Sequence, residues 1–263
     1  MTRLVVKMGG HALDDLSPTS PVLAALAADL AQLIGEGHSV AVVHGGGPQI
    51  AELLSRVGLT SEFRDGLRVT PPETMAVVAM ALSQVNTALV AALSGHGVAS
   101  VGLSGADATL TRATSLGEPW ARAGSVAHVD PGVIEALWRG GYTPVVSPVA
   151  VDDEGELLNC NADAVAGAVA GALGAQSLVL LSDVDQLRAD PDDAASTLER
   201  VSAHQVADMI ASGAAREGMR PKMMAALDAL AAGASRVVLA NGTRPHALRD
   251  VVHGAIPTTE VVA

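Results

Sequence analysis

The chain has 263 residues, 49% of them apolar and only 2% aromatic, with 28 acidic against 16 basic side chains and a formal net charge of −12. That charge argues against a general nucleic-acid or membrane-surface role, because phosphate backbones need a dense basic face. The single cysteine, Cys160, excludes an intramolecular disulfide and a cysteine-based zinc site.

The length is enough for one large α/β domain or two fused lobes. The sequence enters its first strand directly and shows no signal peptide, and no apolar run reaches a membrane span without polar interruption. A cytoplasmic protein is the expectation.

In chain order, short apolar runs at 4–7, 39–43, 100–102, 143–146, 178–181 and 236–239 read as strands buried on both faces. Between them, 22–35, 48–57, 72–93, 131–139, 162–173 and 219–232 carry helical periodicity, several opening at Pro and closing at Gly. Segments 149–152 and 157–158, around Asp153-Glu154-Gly155, predict a hairpin, and 60–69 and 110–126 predict hairpin or irregular insertions. The βαβ rhythm predicts a mostly parallel sheet with helices on both faces. The helix at 72–93 is apolar nearly all round, which fits a central core helix or the seam of a homodimer; we expect the seam.

Only two lysines occur, Lys7 and Lys222, against fourteen arginines. Where arginine has taken nearly every cationic position, the two remaining lysines mark places where a compact ammonium is needed and a wide planar fork will not do. Lys7 ends an apolar strand and precedes Gly9-Gly10; Lys222 follows Gly218-Met219-Arg220-Pro221 and opens a helix. A second glycine cluster, Gly45-Gly46-Gly47, follows the second strand and His44. Two such clusters at the carboxyl edge of adjacent parallel strands let backbone and helix N-termini approach an anion. The common alternatives fail in detail: Ile50 stands where a dinucleotide-binding turn needs Gly or Ala, and no Walker-type phosphate loop occurs.

Further along, Asn159-Cys160-Asn161-Ala162-Asp163 ends the predicted hairpin and opens a helix. Asn161 alone fits a helix cap, but three amide or carboxyl side chains in five residues exceed what one cap requires. Asn159 can hold a carboxylate or amide, and Asp163 can hold two ammonium groups in place. Ser182-Asp183-Val184-Asp185, after another buried strand, suits a ribose or phosphate. No aromatic residue follows Tyr142. A base bound by the second half is expected among aliphatic side chains and Met209, Met219 and Met223.

Seven motifs in order make the chain resemble the amino acid kinase family nearly end to end, most of all its acetylglutamate branch. They are Lys7-Met8-Gly9-Gly10, His44-Gly45-Gly46-Gly47-Pro48, Gly66-Leu67-Arg68-Val69-Thr70, Val101-Gly102-Leu103-Ser104-Gly105, Asn159-Cys160-Asn161-Ala162-Asp163, Leu181-Ser182-Asp183-Val184 and Gly218-Met219-Arg220-Pro221-Lys222. The resemblance implies a single domain over 1–263, a three-layer αβα sandwich around a mostly parallel, roughly eight-stranded open sheet. An N-terminal lobe, 1–174, would hold the acyl amino acid and a C-terminal lobe, 175–263, would hold ATP. The implied reaction is ATP-dependent phosphorylation of the γ-carboxylate of N-acetyl-L-glutamate to the 5-phosphate, in arginine biosynthesis.

Carried onto matching positions, Lys7 and Lys222 stabilise the transferring phosphoryl group and Asp163 organises both. Gly46, Gly47, Arg68 and Asn159 hold the substrate. Gly9, Gly10, Ser182, Asp183, Val184, Leu187, Arg188, Ala214, Ala215, Arg216 and Met219 line the nucleotide site. Mg²⁺ is expected on the phosphate oxygens of ATP, without a dedicated protein cage. The chain departs from the family pattern at Gln186, where glycine is usual, and at Thr87, where lysine is common; His11 and Arg220 add charge near the phosphates. The absence of an N-terminal helix before the first strand, which resembles a hallmark of arginine-inhibited hexamers, points to a dimeric, arginine-insensitive form.

Two alternatives stand beside this reading. The first is the same chemistry on a related acid, such as carrier-protein-bound aminoadipate or glutamate or a specialised-metabolism analogue; Arg68 and the −12 charge speak against a carrier. The second is a non-catalytic sensor, which would not need both lysines and Asp163.

Overall fold

The structure is a computed structural model and describes residues 2–9, 13–17, 19–190, 192–215 and 219–263. Gly10, His11, Arg216 and Gly218 lie outside the described residues. The elements run β1 (Thr2–Met8), α1 (Pro21–Gly35), β2 (His38–His44), α2 (Gly47–Arg56), β3 (Phe63–Arg64), β4 (Leu67–Arg68), α3 (Pro72–Gly95), β5 (Ser100–Ser104), β6 (Thr111–Gly117), β7 (Ala121–Val129), α4 (Gly132–Arg139) and β8 (Thr143–Ser147). They continue β9 (Val149–Val151), β10 (Leu157–Cys160), α5 (Ala162–Ala172), β11 (Ser177–Ser182), β12 (Leu187–Arg188), β13 (Thr197–Leu198), β14 (Arg200–Ser202), α6 (Ala203–Ala211), α7 (Arg220–Ala231), β15 (Val237–Asn241), α8 (Ala247–Val252) and β16 (Thr259–Val262).

Eight strands form the main sheet in the order β14-β16-β15-β11-β1-β2-β8-β5. All neighbours in it are parallel except β15 and β16, which pair antiparallel. The expected mostly parallel, eight-stranded sheet is therefore present. Helices cover both faces because the central strands carry apolar residues on both faces. Leu4, Val6 and Met8 of β1 pack with Val40 and Val42 of β2 against α1, α3 and α8. Val5 of β1 and Ala41 and Val43 of β2 face α5, α7 and the rest of the opposite layer. The pleat then decides where the polar ends go: Lys7 shares the face of Val5, and His44 shares the face of Val42.

One expectation needs correction. The 100–102 run is not buried on both faces; β5 is the sheet edge with a single partner, β8, and its residues are half-buried or exposed. Among the described residues one helix, α3, is long and apolar enough to cross a membrane by composition, with Ser83, Gln84, Asn86 and Thr87 interrupting its apolar run as expected. Its Val78, Leu82, Val85, Leu89 and Leu93 are packed in the core, which accounts for the apolar stretch. The expected hairpin is present as β9–β10, and it closes with β6 and β7 into a small four-stranded barrel, β10-β7-β6-β9. Helix α6 was not anticipated, although its capping box, Ser202 with Gln205, is a readable start signal.

Candidate active site

The carboxyl ends of β1, β2 and β11 lie side by side, with Met8 in register with His44 and Leu181. Lys7, directed to the α5 face by the pleat, meets Asp163 there. Asp163 sits in the first turn of α5, whose N-cap is Asn161; the Asn161 side chain accepts from the backbone N–H of Asp163 at 2.7 Å and of Ala164 at 3.3 Å. The capping reading of Asn161 therefore holds, and the cap leaves the Asp163 carboxylate free for the lysines.

Lys7 Nζ lies 2.8 Å from Asp163 Oδ1, with both side chains under a tenth exposed. Lys222 Nζ lies 3.4 Å from Asp163 Oδ2. One carboxylate thus holds two ammonium groups, one on each oxygen. Burial raises the pKa of Asp163, but Lys7 and then Lys222 outweigh it, and the net shift is downward. The carboxylate is ionised at neutral pH.

The close approach of α5 and α7 makes this triad possible. A Cβ on Gly167 would lie 2.8 Å from the Ala225 carbonyl oxygen, and one on Gly171 would lie 2.2 Å from Ala232 Cβ. Only hydrogen at these two positions, one turn apart, lets α7 dock closely enough to carry Lys222 to Asp163. Gly9 has the same role for Lys7: a Cβ there would fall 2.3 Å from Lys7 Nζ. The first turn of α7 contains Arg220 and Lys222 and no acid. Cations at a helix N-terminus oppose the macrodipole by roughly 0.3–1 kcal/mol each. An anion bound in front of them reverses that sign.

Beside the triad, Gly45, Gly46, Gly47, Arg68, Asn159 and Ala162 line a cavity of about 180 Å³. Arg68 reaches it from β4, with Nη1 donating to Ser61 Oγ, Nη2 to the Gly47 carbonyl at 3.3 Å, and the guanidinium 4.6 Å from the Phe63 ring. The Asn159 amide donates to Thr70 Oγ1 at 3.1 Å, and Thr70 donates to the Arg68 carbonyl at 2.8 Å. The structure thus gathers the four expected substrate positions at one cavity. Ser61, Phe63 and Thr70, which orient them, were not singled out from sequence. Thr70 had a signal: it stands two residues past Arg68 in the same motif.

The expected nucleotide positions lie along the next stretch of the edge. Ser182 is buried at the end of β11, its hydroxyl accepting from the Val184 N–H at 3.3 Å, while Asp183 and Val184 are exposed. Ala215 and Met219 pack at the rim of the core. Arg188 is exposed at the end of β12, and Ala214 is half-buried. Leu187 is 2% exposed and gives its N–H to Thr259 Oγ1, so its side chain is a core group. Met223 is likewise core, 1% exposed, which removes it from the side chains available to a base; Met209 and Met219 are only partly buried.

A profile of the amino acid kinase family matches residues 2–241. This chain belongs to the amino acid kinase family. An acetylglutamate kinase from Symbiobacterium thermophilum is 42% identical over 255 residues, covering 93% of this chain and 86% of the relative. Among solved structures, an N-acetylglutamate synthase from Neisseria gonorrhoeae, complexed with coenzyme A and N-acetyl-glutamate, matches with TM-score 0.84 at 25% identity. The match covers all of this chain and 59% of that longer one. A carbamate kinase from Giardia lamblia, at 15% identity over 99% of this chain and 98% of its own, has TM-score 0.71 and shares the fold.

Within this amino acid kinase, the two departures from the family pattern have distinct settings. Gln186 donates from Nε2 to the Thr258 carbonyl at 3.0 Å, tying the loop after β11 to the segment before β16. Thr87 is exposed on the outward face of α3, beside a different surface cavity.

Proposed function

We propose that this chain transfers the γ-phosphoryl group of ATP to the γ-carboxylate of N-acetyl-L-glutamate, forming N-acetyl-L-glutamyl 5-phosphate in arginine biosynthesis. The observation that carries the reading is the Lys7–Asp163–Lys222 triad between the Gly46–Arg68–Asn159 cavity and the edge at Ser182. The 42% identical acetylglutamate kinase supports the choice of acid.

A carboxylate is already nucleophilic at neutral pH, so no general base is needed. Catalysis is alignment plus positive charge. Residues 1–174 hold the acyl amino acid: Arg68 and Asn159 grip it and the N–H groups of Gly46 and Gly47 face its reacting end. Residues 175–263 hold ATP along Asp183, Val184, Arg188, Ala214, Ala215 and Met219. Lys7 and Lys222, held in place by Asp163, neutralise charge that builds on the equatorial oxygens. Mg²⁺ travels with the phosphates of ATP; the described residues gather no group of three or more His, Cys, Asp or Glu for it, and no step here runs through it.

We place the enzyme in the cytoplasm as a homodimer. Met80 of α3 is 54% exposed, and Ala79, Ser83, Thr87 and Val90 of the same helix line a surface cavity of about 500 Å³ with Gly102 and Leu103 of the edge strand β5, which supports a seam there.

Trapping with hydroxylamine tests the chemistry. Purified protein with ATP and N-acetylglutamate should yield a hydroxamate. A hydroxamate only with some other acid would replace the substrate, and none with any acid would remove the activity.

Arg68→Lys tests the grip. An ammonium cannot reach Ser61, the Gly47 carbonyl and the Phe63 face together. The KM for N-acetylglutamate should rise about tenfold, the worth of one charge-assisted hydrogen bond, with the KM for ATP unchanged. Equal increases in both would place Arg68 in the scaffold instead.

A further inference from the structure

His44 is wholly buried on the α3 face of the sheet, opposite to Lys7 and Asp163. Its Nδ1 is 2.8 Å from the Gly45 carbonyl oxygen and its Nε2 is 3.0 Å from Asn86 Nδ2. The Asn86 nitrogen also lies 2.9 Å from the Val145 carbonyl oxygen, which requires a donor, so the amide nitrogen is on this side and Nε2 accepts. The ring proton is therefore on Nδ1, and His44 donates to Gly45. Burial pulls the His44 pKa down to about 4, against a smaller upward pull from the Gly45 carbonyl, so the neutral ring persists at working pH. The Gly45 N–H is held as well, by the Met8 carbonyl of β1 at 2.9 Å.

A planar trans peptide points its C=O and N–H in opposite directions. With the Gly45 carbonyl turned inward to His44, the N–H of Gly46, in the same peptide, is turned outward. Gly46 lines the substrate cavity. The geometry points to His44 as a positioning residue that, set in its Nδ1–H tautomer by Asn86, aims the Gly46 N–H at the reacting end of the substrate. This rests on the proposed role of the glycine loop.

Two variants separate aiming from mere core filling. The amide nitrogen of Asn overlays the Nδ1 position and can still donate to Gly45; that of Gln overlays Nε2 and cannot. Each breaks one contact of the imidazole. His44→Asn should keep kcat within about threefold, while His44→Gln should lose at least about tenfold, as expected for a misdirected group at the reacting atoms, with comparable drops in Tm. Equal rates for the two variants, or rates that simply follow Tm, would overturn the proposal.

Should His44→Gln fail to fold, Asn86→Asp supplies a second readout. A carboxylate only accepts, so Nε2 must then carry a proton, and the donor to Gly45 survives only while the ring is imidazolium. Asn86 of α3 touches the ring, the Val145 and Leu103 carbonyls of β8 and β5 hold the Asn86 amide, and Met8 of β1 is in register with His44; none of these groups is charged. The variant's kcat should therefore fall as pH rises through the new imidazolium pKa, a limb that the parent enzyme lacks; identical pH profiles would overturn the proposal. Gly47→Ala keeps the underlying reading distinct. No atom lies within 4 Å of a Cβ there, so the fold tolerates it. An unchanged KM for N-acetylglutamate in that variant removes the glycine-loop reading, whereas a raised KM with equal His44→Asn and His44→Gln rates removes the His44 proposal alone.

Discussion

Lys7→Arg is expected to fold and to lose at least about a hundredfold in kcat. The site has been built around an ammonium. Nζ is 2.8 Å from Asp163, the side chain is 8% exposed, and it sits so close over Gly9 that a Cβ there would fall 2.3 Å from Nζ. A planar guanidinium has the same charge but cannot occupy that volume, so the charge moves off the phosphoryl oxygens. Removing one donor aimed at a developing anion costs on the order of 10²–10³ in rate. Lys222, 16% exposed at the start of α7, has more space. Lys222→Arg is expected to lose about tenfold, the smaller of the two effects, from imperfect alignment. Steady-state kinetics on both variants, with melting curves to confirm folding, decide this. Parental rates in both would mean that the two lysines are accidents of composition.

Asp163→Asn is expected to damage stability and rate together. The substitution keeps shape and removes the charge that compensates a buried Lys7. Leaving one partner of a buried ion pair unpaired costs about 3–5 kcal/mol, which for a domain of this size lowers Tm on the order of 10 °C. The rate should fall on the order of 10²–10³, because neither ammonium is held in place. ATP binding should not weaken, since the pocket gains positive charge, and added ATP should raise the Tm of the variant more than that of the parent. A variant with parental kcat would show that Asp163 serves the fold only. The pH response follows from the same group. Its folded pKa lies below the ordinary carboxylate value, so its stabilising effect is complete above the unfolded pKa of about 3.9 and is lost as pH falls through the lower folded value.

Much of this was legible in the residues. The helices at 22–35 and 72–93 appear as Pro21–Gly35 and Pro72–Gly95, because helix periodicity, proline entry and glycine exit are local signals. The role of Lys7 could be suspected from its rarity and its place before Gly9, and the cap of α5 from Asn161. The pairing of β16 antiparallel to β15, the small barrel and the burial of Met223 were not legible. Each depends on partners distant in the chain, and an apolar run or a methionine reads the same whether it faces a core or a cleft. Gln186 shows the same limit: the sequence marks it as a departure, but only its bond to Thr258 shows that it ties a loop down.

The sequence by itself determined the alternation of strands and helices, the polar residues at the strand ends, and the family. The reason is that propensity, capping and the two-residue pleat act over a few neighbouring positions. The tertiary structure decided that Lys7, Asp163 and Lys222 share one carboxylate. That meeting needs α5 and α7 pressed together at Gly167 and Gly171 and the Lys7 ammonium seated over Gly9. Close packing between distant segments is a property of shape, and no local pattern in the chain encodes the distance.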